Sequence, residues 1–255
     1  MRNFISEDDI EQAILQKLEG DPFQYGILRC DPSPDKRELL PDGTGRSSKK
    51  ECVLPLILRE ALARLNPDIP GEKLEEIARD LCRDFSATDM TATNYKYYNQ
   101  IRNGIKISLR RNGKEDFDFV KLVDFDRPEN NTFTAVSQMW IQGRVYWRRP
   151  DVLIFINGLP MVFVELKNSI VKVEEAYNDN LKNYLRDIPN LFALNQICVL
   201  SNGLETRLGA FNATYNHFFE WLKVDSEKER PDRQALKEAG TVGESSVRYF
   251  IDGLL

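Results

Sequence analysis

The stretch RRPDVLIFINGLPMVFVELKNS, Arg148 to Ser169, decides the fold of this chain. Val152 to Ile156 and Met161 to Val164 are near-continuous apolar runs separated by Asn-Gly-Leu-Pro. That is the pattern of paired strands covered on both faces. Pro150 stands just before the first strand, where a missing N–H is tolerated. Central strands have no packing reason to carry charge, yet Asp151, Glu165 and Lys167 stand at the ends of these two. A five-residue loop, Ile156 to Pro160, sets Asp151 directly opposite Glu165 in an antiparallel hairpin. Their Cβ atoms are then about 4.5–5.5 Å apart. Lys167 lies diagonal to both, because side chains at i and i+2 share a face.

Two carboxylates converging in a partly buried place need a cation or a proton to neutralise them. Mg²⁺ is commonly held by one or two carboxylates, with waters and phosphate oxygens completing its octahedron. An ammonium beside such a metal can orient or help deprotonate an attacking water and offset charge on a phosphate. The pattern therefore points to metal-assisted phosphodiester hydrolysis. Glu-x-Lys also occurs on exposed strands as a weak cross-strand ion pair. Here Glu165 ends a run of Val, Phe and Val, where a solvated face is not expected.

Composition narrows the alternatives. A chain of 255 residues with 42% hydrophobic content can bury a large core, as one oversized domain or a core with a helical extension. No apolar run approaches a membrane span, and the start MRNFISEDDIEQ is polar and acidic rather than a targeting peptide, so a cytoplasmic location is expected. Cys30, Cys52, Cys82 and Cys198 form no C-x-x-C pair and read as reduced thiols. His217 is the only histidine, which excludes an HExxH zinc site and argues against Ser-His-Asp catalysis. An oxygen-ligated metal remains.

Along the chain, Ser6-x-x-Asp9 resembles a capping box, and Ile10, Ile14, Leu15 and Leu18 form the apolar stripe of an opening helix. Glu11 projects into that stripe. As an acid near a helix N-terminus it also suits the macrodipole. DPSPDKRELLPDGTGRSSKK, Asp31 to Lys50, reads as a loop open to motion. Its Gly43-Thr-Gly45 and Lys49 lack the spacing of a phosphate-binding loop. Helices are expected at about 51–65, 71–85 and 92–101. Strands follow at 105–109 and 117–125 around an Asn112-Gly113 turn, then at 133–141 and 145–147 before the hairpin. After a helix over 174–186, strands at 197–200 and 206–211 complete an α/β arrangement. On the 174–186 helix, Asn180 and Tyr184 share a face, where Tyr177, Leu181, Tyr184 and Ile188 also make a packing stripe. The sequence divides into an N-terminal helical part (1–104), a sheet core with a crossover helix (105–222) and a charged, C-terminal helical extension (223–255). Net charge is −5, and the basic patches are Arg144, Arg148 and Arg149 before the hairpin and Lys106, Arg110, Arg111 and Lys114 around the Asn-Gly turn. The arginines among them, Arg144, Arg148, Arg149, Arg110 and Arg111, are the candidates for contact with a phosphodiester backbone.

Pro150-Asp151 followed by Glu165-Leu166-Lys167 resembles the PD-(D/E)XK nuclease motif. The wider text resembles the endonuclease domain at the N-terminus of the restriction (R) subunit of type I restriction-modification enzymes. The resemblance runs through SEDDIE (Ser6 to Glu11), LARLNPDIP (Leu62 to Pro70), NNTFTAVSQMWIQG (Asn130 to Gly143), the hairpin, NYLRDIPNLF (Asn183 to Phe192) and LSNGLETRLGAF (Leu200 to Phe211). It implies a mixed central sheet flanked by helices, with Asp151, Glu165 and Lys167 catalytic. It also implies Mg²⁺, for which Mn²⁺ can substitute, held by Asp151, Glu165 and the Leu166 carbonyl, with Glu11 as an accessory ligand. The family's helix carries Gln-x-x-x-Tyr; Asn180 to Tyr184 departs from it by one methylene at the amide. The implied activity is nonspecific cleavage of duplex DNA after ATP-driven translocation by helicase-like motor domains of the same polypeptide, with ATP used there and not by this chain. Methyltransferase and specificity subunits are the implied partners, in a prokaryotic cytoplasm. Two other readings stay open: a different PD-(D/E)XK repair or junction nuclease, and a noncatalytic docking module that keeps the fold.

Overall fold

In the computed structural model, which describes residues 4–111 and 114–220, the elements follow in chain order. They are α1 (Glu7–Glu19), β1 (Gly26–Arg29), α2 (Pro55–Leu65), α3 (Gly71–Leu81), α4 (Met90–Asn103), β2 (Ile105–Arg111), β3 (Lys114–Val120), β4 (Phe133–Ser137), β5 (Ile141–Gln142) and β6 (Trp147–Arg148). The hairpin strands β7 (Val152–Ile156) and β8 (Leu159–Leu166) come next, then α5 (Val173–Glu175), a π-helical turn (Ala176–Leu181), α6 (Lys182–Asp187), β9 (Ile197–Ser201), β10 (Thr206–Gly209) and β11 (Phe219–Glu220). The expected Asn112-Gly113 turn, the side chains of Arg111 and Lys114, and the expected C-terminal extension over 223–255 lie outside the described residues.

A seven-stranded mixed sheet runs β1-β4-β7-β8-β9-β10-β11, with β1 and β4 parallel, β8 and β9 parallel, and the other neighbours antiparallel. The helical segment after β8 is the crossover that a parallel neighbour requires. Every residue of β8 is buried. One sheet face packs Val152, Ile154, Val162 and Val164 with Ile10, Ile14, Leu15 and Leu18 of α1. The other packs Leu153, Phe155 and Phe163 with Leu181, Tyr184 and Phe192. Cover on both faces is why the strands read as unbroken apolar runs. Ser6 and Asp9 close a reciprocal capping box at the start of α1.

The hairpin reaches its register by a different route from the expected five-residue loop. Asn157 and Gly158 have φ of 53° and 81°, and Ile156 pairs with Leu159, so the loop is a two-residue turn of the kind Asn-Gly favours. The pairing then shifts between Ile154 and Phe155, leaving Met161 as a one-residue bulge. From Ile154 opposite Val162 onward the register is the one expected. Asn157 is fully buried, accepting from Thr132 N at 2.8 Å and donating to Leu122 O at 2.9 Å. A side chain on Gly158 would begin 2.6 Å from Leu54 O.

Three strand expectations are corrected. The strands at 105–109 and 117–125 do not extend the central sheet: β2 and β3 form their own two-stranded sheet. Asp116 and Asp118 on β3 are unsuited to a sheet covered on both faces. The strand expected over 133–141 ends at Ser137, and β5 and β6 pair separately. The two strands that the sequence did not suggest are at the sheet edges: β1, a four-residue segment within the region read as helical, and β11, of two residues. The loop after β1 is anchored rather than loose. Asp42 accepts from Arg46 and Lys49, each at 2.7 Å, and Arg46 also donates to Glu51 O and Trp140 O at 3.0 and 3.2 Å. Lys49, the residue that superficially suited a phosphate, is spent on Asp42. The four cysteines are free thiols, and among the described residues no helix is long and apolar enough to cross a membrane.

Candidate active site

Strand directions bring the C-terminal ends of β4, β8 and β9 and the start of β7 to one end of the sheet. Asp151 immediately precedes β7, and continuing the Val152–Val164 pairing by one residue places it opposite Glu165. Leu166 N donates to Asp151 Oδ2 at 2.7 Å, orienting that carboxylate beside the second strand. Glu165 is 2% exposed and shares its sheet face with Phe163. The Asn180 amide donates to Glu165 Oε1. Lys167 Nζ lies 3.8 Å from Glu165 Oε1 and 3.9 Å from Glu7 Oε1, while its backbone N–H donates to Ser201 O at 2.8 Å. Reciprocal bonds between Ile5 and Ser169, at 2.9 and 3.0 Å, tie the chain before α1 to the loop after Lys167.

Glu11, 5% exposed, accepts a bond from Gln138 Nε2, and the same nitrogen lies 3.5 Å from Asp151 Oδ1. Tyr184 donates to Arg149 O at 3.1 Å and packs edge-on against Phe163. Asn180 belongs to the π-helical turn, which hands over to α6 and Tyr184. Such turns often occur at functional sites. Asn180 and Tyr184 meet at Glu165: the shorter amide reaches that carboxylate, whose charge also acts on the Tyr184 hydroxyl.

Burial dominates the electrostatics. It pushes the Asp151 carboxyl up to about 6, partly countered by the Leu166 N–H and Lys167. Burial, then the Asp151 charge, holds Glu165 well above the ordinary carboxylate range. Glu11 is raised chiefly by its own burial. Tyr184 is raised by burial and then by Glu165. Glu165 Oε2 and Gln138 Oε1 are buried with no hydrogen-bond partner. Acids so placed, beside acceptors left over, are satisfied by protons or by a hard cation. Among the described residues, no group of three His, Cys, Asp or Glu side chains is arranged to hold a metal by itself. The donor set fits Mg²⁺, which commonly uses one or two carboxylates and keeps its waters. The Leu166 carbonyl lies on the strand carrying Glu165.

The arginine candidates divide. Arg148 donates through Nε to the buried Asp187 at 2.8 Å, and Arg149 donates to Pro32 O at 2.6 Å and lies over the Trp140 ring. Both guanidiniums hold structure. Arg144 is exposed between β5 and β6, and Arg110 is exposed on the separate β2–β3 sheet. Lys106 lies over Phe117 on that sheet. Sequence reasoning missed Gln138 and Glu7. Gln138 was hidden because Phe133 to Ile141 reads as one strand, in which its side chain simply alternates.

The family profile described as type I restriction enzyme R protein N terminus matches residues 4–217. The chain is 31% identical to the type I restriction enzyme HindI endonuclease subunit of Haemophilus influenzae, over 98% of this chain and 23% of that one. It is 30% identical to the putative type I restriction enzyme MjaIXP endonuclease subunit of Methanocaldococcus jannaschii, over 94% and 22% respectively. The SauCOLORF180P endonuclease subunit of Staphylococcus aureus is 33% identical over 46% of this chain and 13% of its own. The chain thus spans about a quarter of the first two relatives' length. Its matched residues include α1, six strands of the central sheet, β1 to β10 in the chain, and the end carrying Asp151, Glu165 and Lys167, so the chain belongs to the type I restriction enzyme R protein N-terminus family.

Proposed function

We propose that this chain is the Mg²⁺-dependent DNA endonuclease domain of a type I restriction enzyme R subunit, cutting duplex DNA without sequence preference. The observation that carries this reading is buried Glu165 with half-buried Asp151 opposite it and Lys167 beside them, at one sheet end. Asp151, Glu165 and the Leu166 carbonyl would hold the cation, which supplies Lewis acidity and a nucleophile when bound. Leu166 N–H aims the Asp151 carboxylate. Asn180 holds one oxygen of Glu165 and leaves Oε2 free. Lys167, 16% exposed, faces the place where a phosphate and an attacking water meet these carboxylates and offsets their charge. Tyr184 fixes the Arg149 carbonyl, and with it the entry into β7.

ATP-driven motor domains in the same polypeptide, and methyltransferase and specificity subunits, complete the proposed enzyme. With a net charge of −5, the chain is poorly suited to tight nonspecific DNA binding alone, which requires several phosphate-contacting Lys or Arg residues. The test uses the full-length R subunit assembled with those partners. Asp151→Ala should abolish plasmid cleavage in Mg²⁺ while ATP hydrolysis and translocation continue. Cleavage at the wild-type rate would overturn the assignment and favour a docking role.

A further inference from the structure

Gln138 stands where β4 ends, and its φ is +57°. Side chains other than Gly, Asn and Asp rarely adopt that region. Turning out of the strand there lets Gln138 N–H donate to Asp151 O at 2.9 Å. It also brings the side-chain amide between two acids from distant parts of the chain: Nε2 donates to Glu11 Oε2 and lies 3.5 Å from Asp151 Oδ1. Only the nitrogen end of the amide suits that place, because the oxygen would add a further acceptor to two others. The oxygen is left buried and unpartnered. A backbone outlier kept at such a position points to a role for the side chain it aims.

Helix α1 lies outside the sheet, so no ladder bond fixes Glu11 relative to β7. We propose that Gln138 is a positioning residue that ties Glu11 to Asp151, setting the α1 carboxylate beside the cation held by Asp151 and Glu165. The proposal rests on the metal-site reading above. Gln138 acts through Glu11, with Asp151, which Leu166 N–H already orients, as the fixed end of the tie, in the way outer partners orient metal ligands elsewhere.

Mn²⁺ calorimetry and thermal unfolding of the 255-residue chain test it. Gln138→Met keeps the side-chain length without the amide, and should weaken Mn²⁺ binding about tenfold. Gln138→Asn suits the left-handed backbone and should fold at least as well as the wild type, yet bind Mn²⁺ as weakly as the Met variant, because its amide falls short of Glu11. Glu11→Gln should weaken binding, and adding Gln138→Met to it should cause no further loss. Wild-type affinity in Gln138→Asn, or losses that multiply in the double variant, would overturn the proposal. Absence of Mn²⁺ binding by the wild type would instead overturn the metal-site reading on which it rests.

Discussion

Asn180 holds Glu165 from within a π-helical turn, so the amide that is one methylene shorter than the family's glutamine still meets the carboxylate. Asn180→Ala should lower cleavage by the assembled enzyme about 10- to 100-fold, the usual cost of losing an outer partner of a metal ligand. Its melting temperature should stay near that of the wild type. Asn180→Gln should keep most of the activity. Undiminished cutting by the Ala variant would reduce Asn180 to packing.

Lys167 separates ligation from chemistry. An ammonium has donors and no acceptor, so it is not a metal ligand. Lys167→Ala should eliminate cutting while Mn²⁺ binding measured by calorimetry remains. If Mn²⁺ binding vanished along with cutting, Lys167 would instead be organising the carboxylates.

The metal-free chain should lose stability as pH rises towards neutrality. Asp151 titrates near 6 in the folded chain against an ordinary 3.8, so the stability gained by keeping its proton is complete below about pH 4 and is lost as pH rises through about 6. Glu165 and Glu11 are shifted in the same direction. Asp187 and Asp42 are lowered, and their contributions are present above pH 3.8. They leave that slope intact. Unfolding scans between pH 4 and 7 should show a fall that Asp151→Asn flattens, with Mn²⁺ restoring stability at pH 7. Equal slopes in the two proteins would contradict the assignment.

Asp42 anchors the long loop through two cations that are themselves buried, Arg46 at 0% and Lys49 at 5% side-chain exposure. Asp42→Ala leaves both charges unpaired and should cost about 3–5 kcal/mol. For a chain of this size that is a fall of about 10 °C in Tm. A change of less than about 2 °C would show that the loop has another anchor.

The parts of this architecture that rest on local chemistry were legible. The capping box at Ser6 and Asp9 and the paired apolar strands follow from residue type and spacing, whereas the expected opposition of Asp151 to Glu165 is reached by another route, a two-residue turn corrected by the Met161 bulge. The Met161 bulge was not legible, since an alternation pattern does not record an extra residue when both faces are apolar. Nor was β1, whose four residues, half of them exposed, carry little periodic signal. Gln138 escaped because its role depends on a backbone reversal and on Glu11, contributed by a remote helix.

The bond from Lys167 N–H to Ser201 O has a consequence for the order of synthesis. Asp151, Glu165 and Lys167 leave the ribosome well before the strand that holds Lys167 in line. Until β9 slides in beside β8, a growing chain lacks this bond, and the strand end at Lys167 is tied back only through Ser169 to Ile5 and through the ion pairs of Lys167 with Glu7 and Glu165. The end of the sheet that carries Asp151, Glu165 and Lys167 is thus complete only once the crossover has closed.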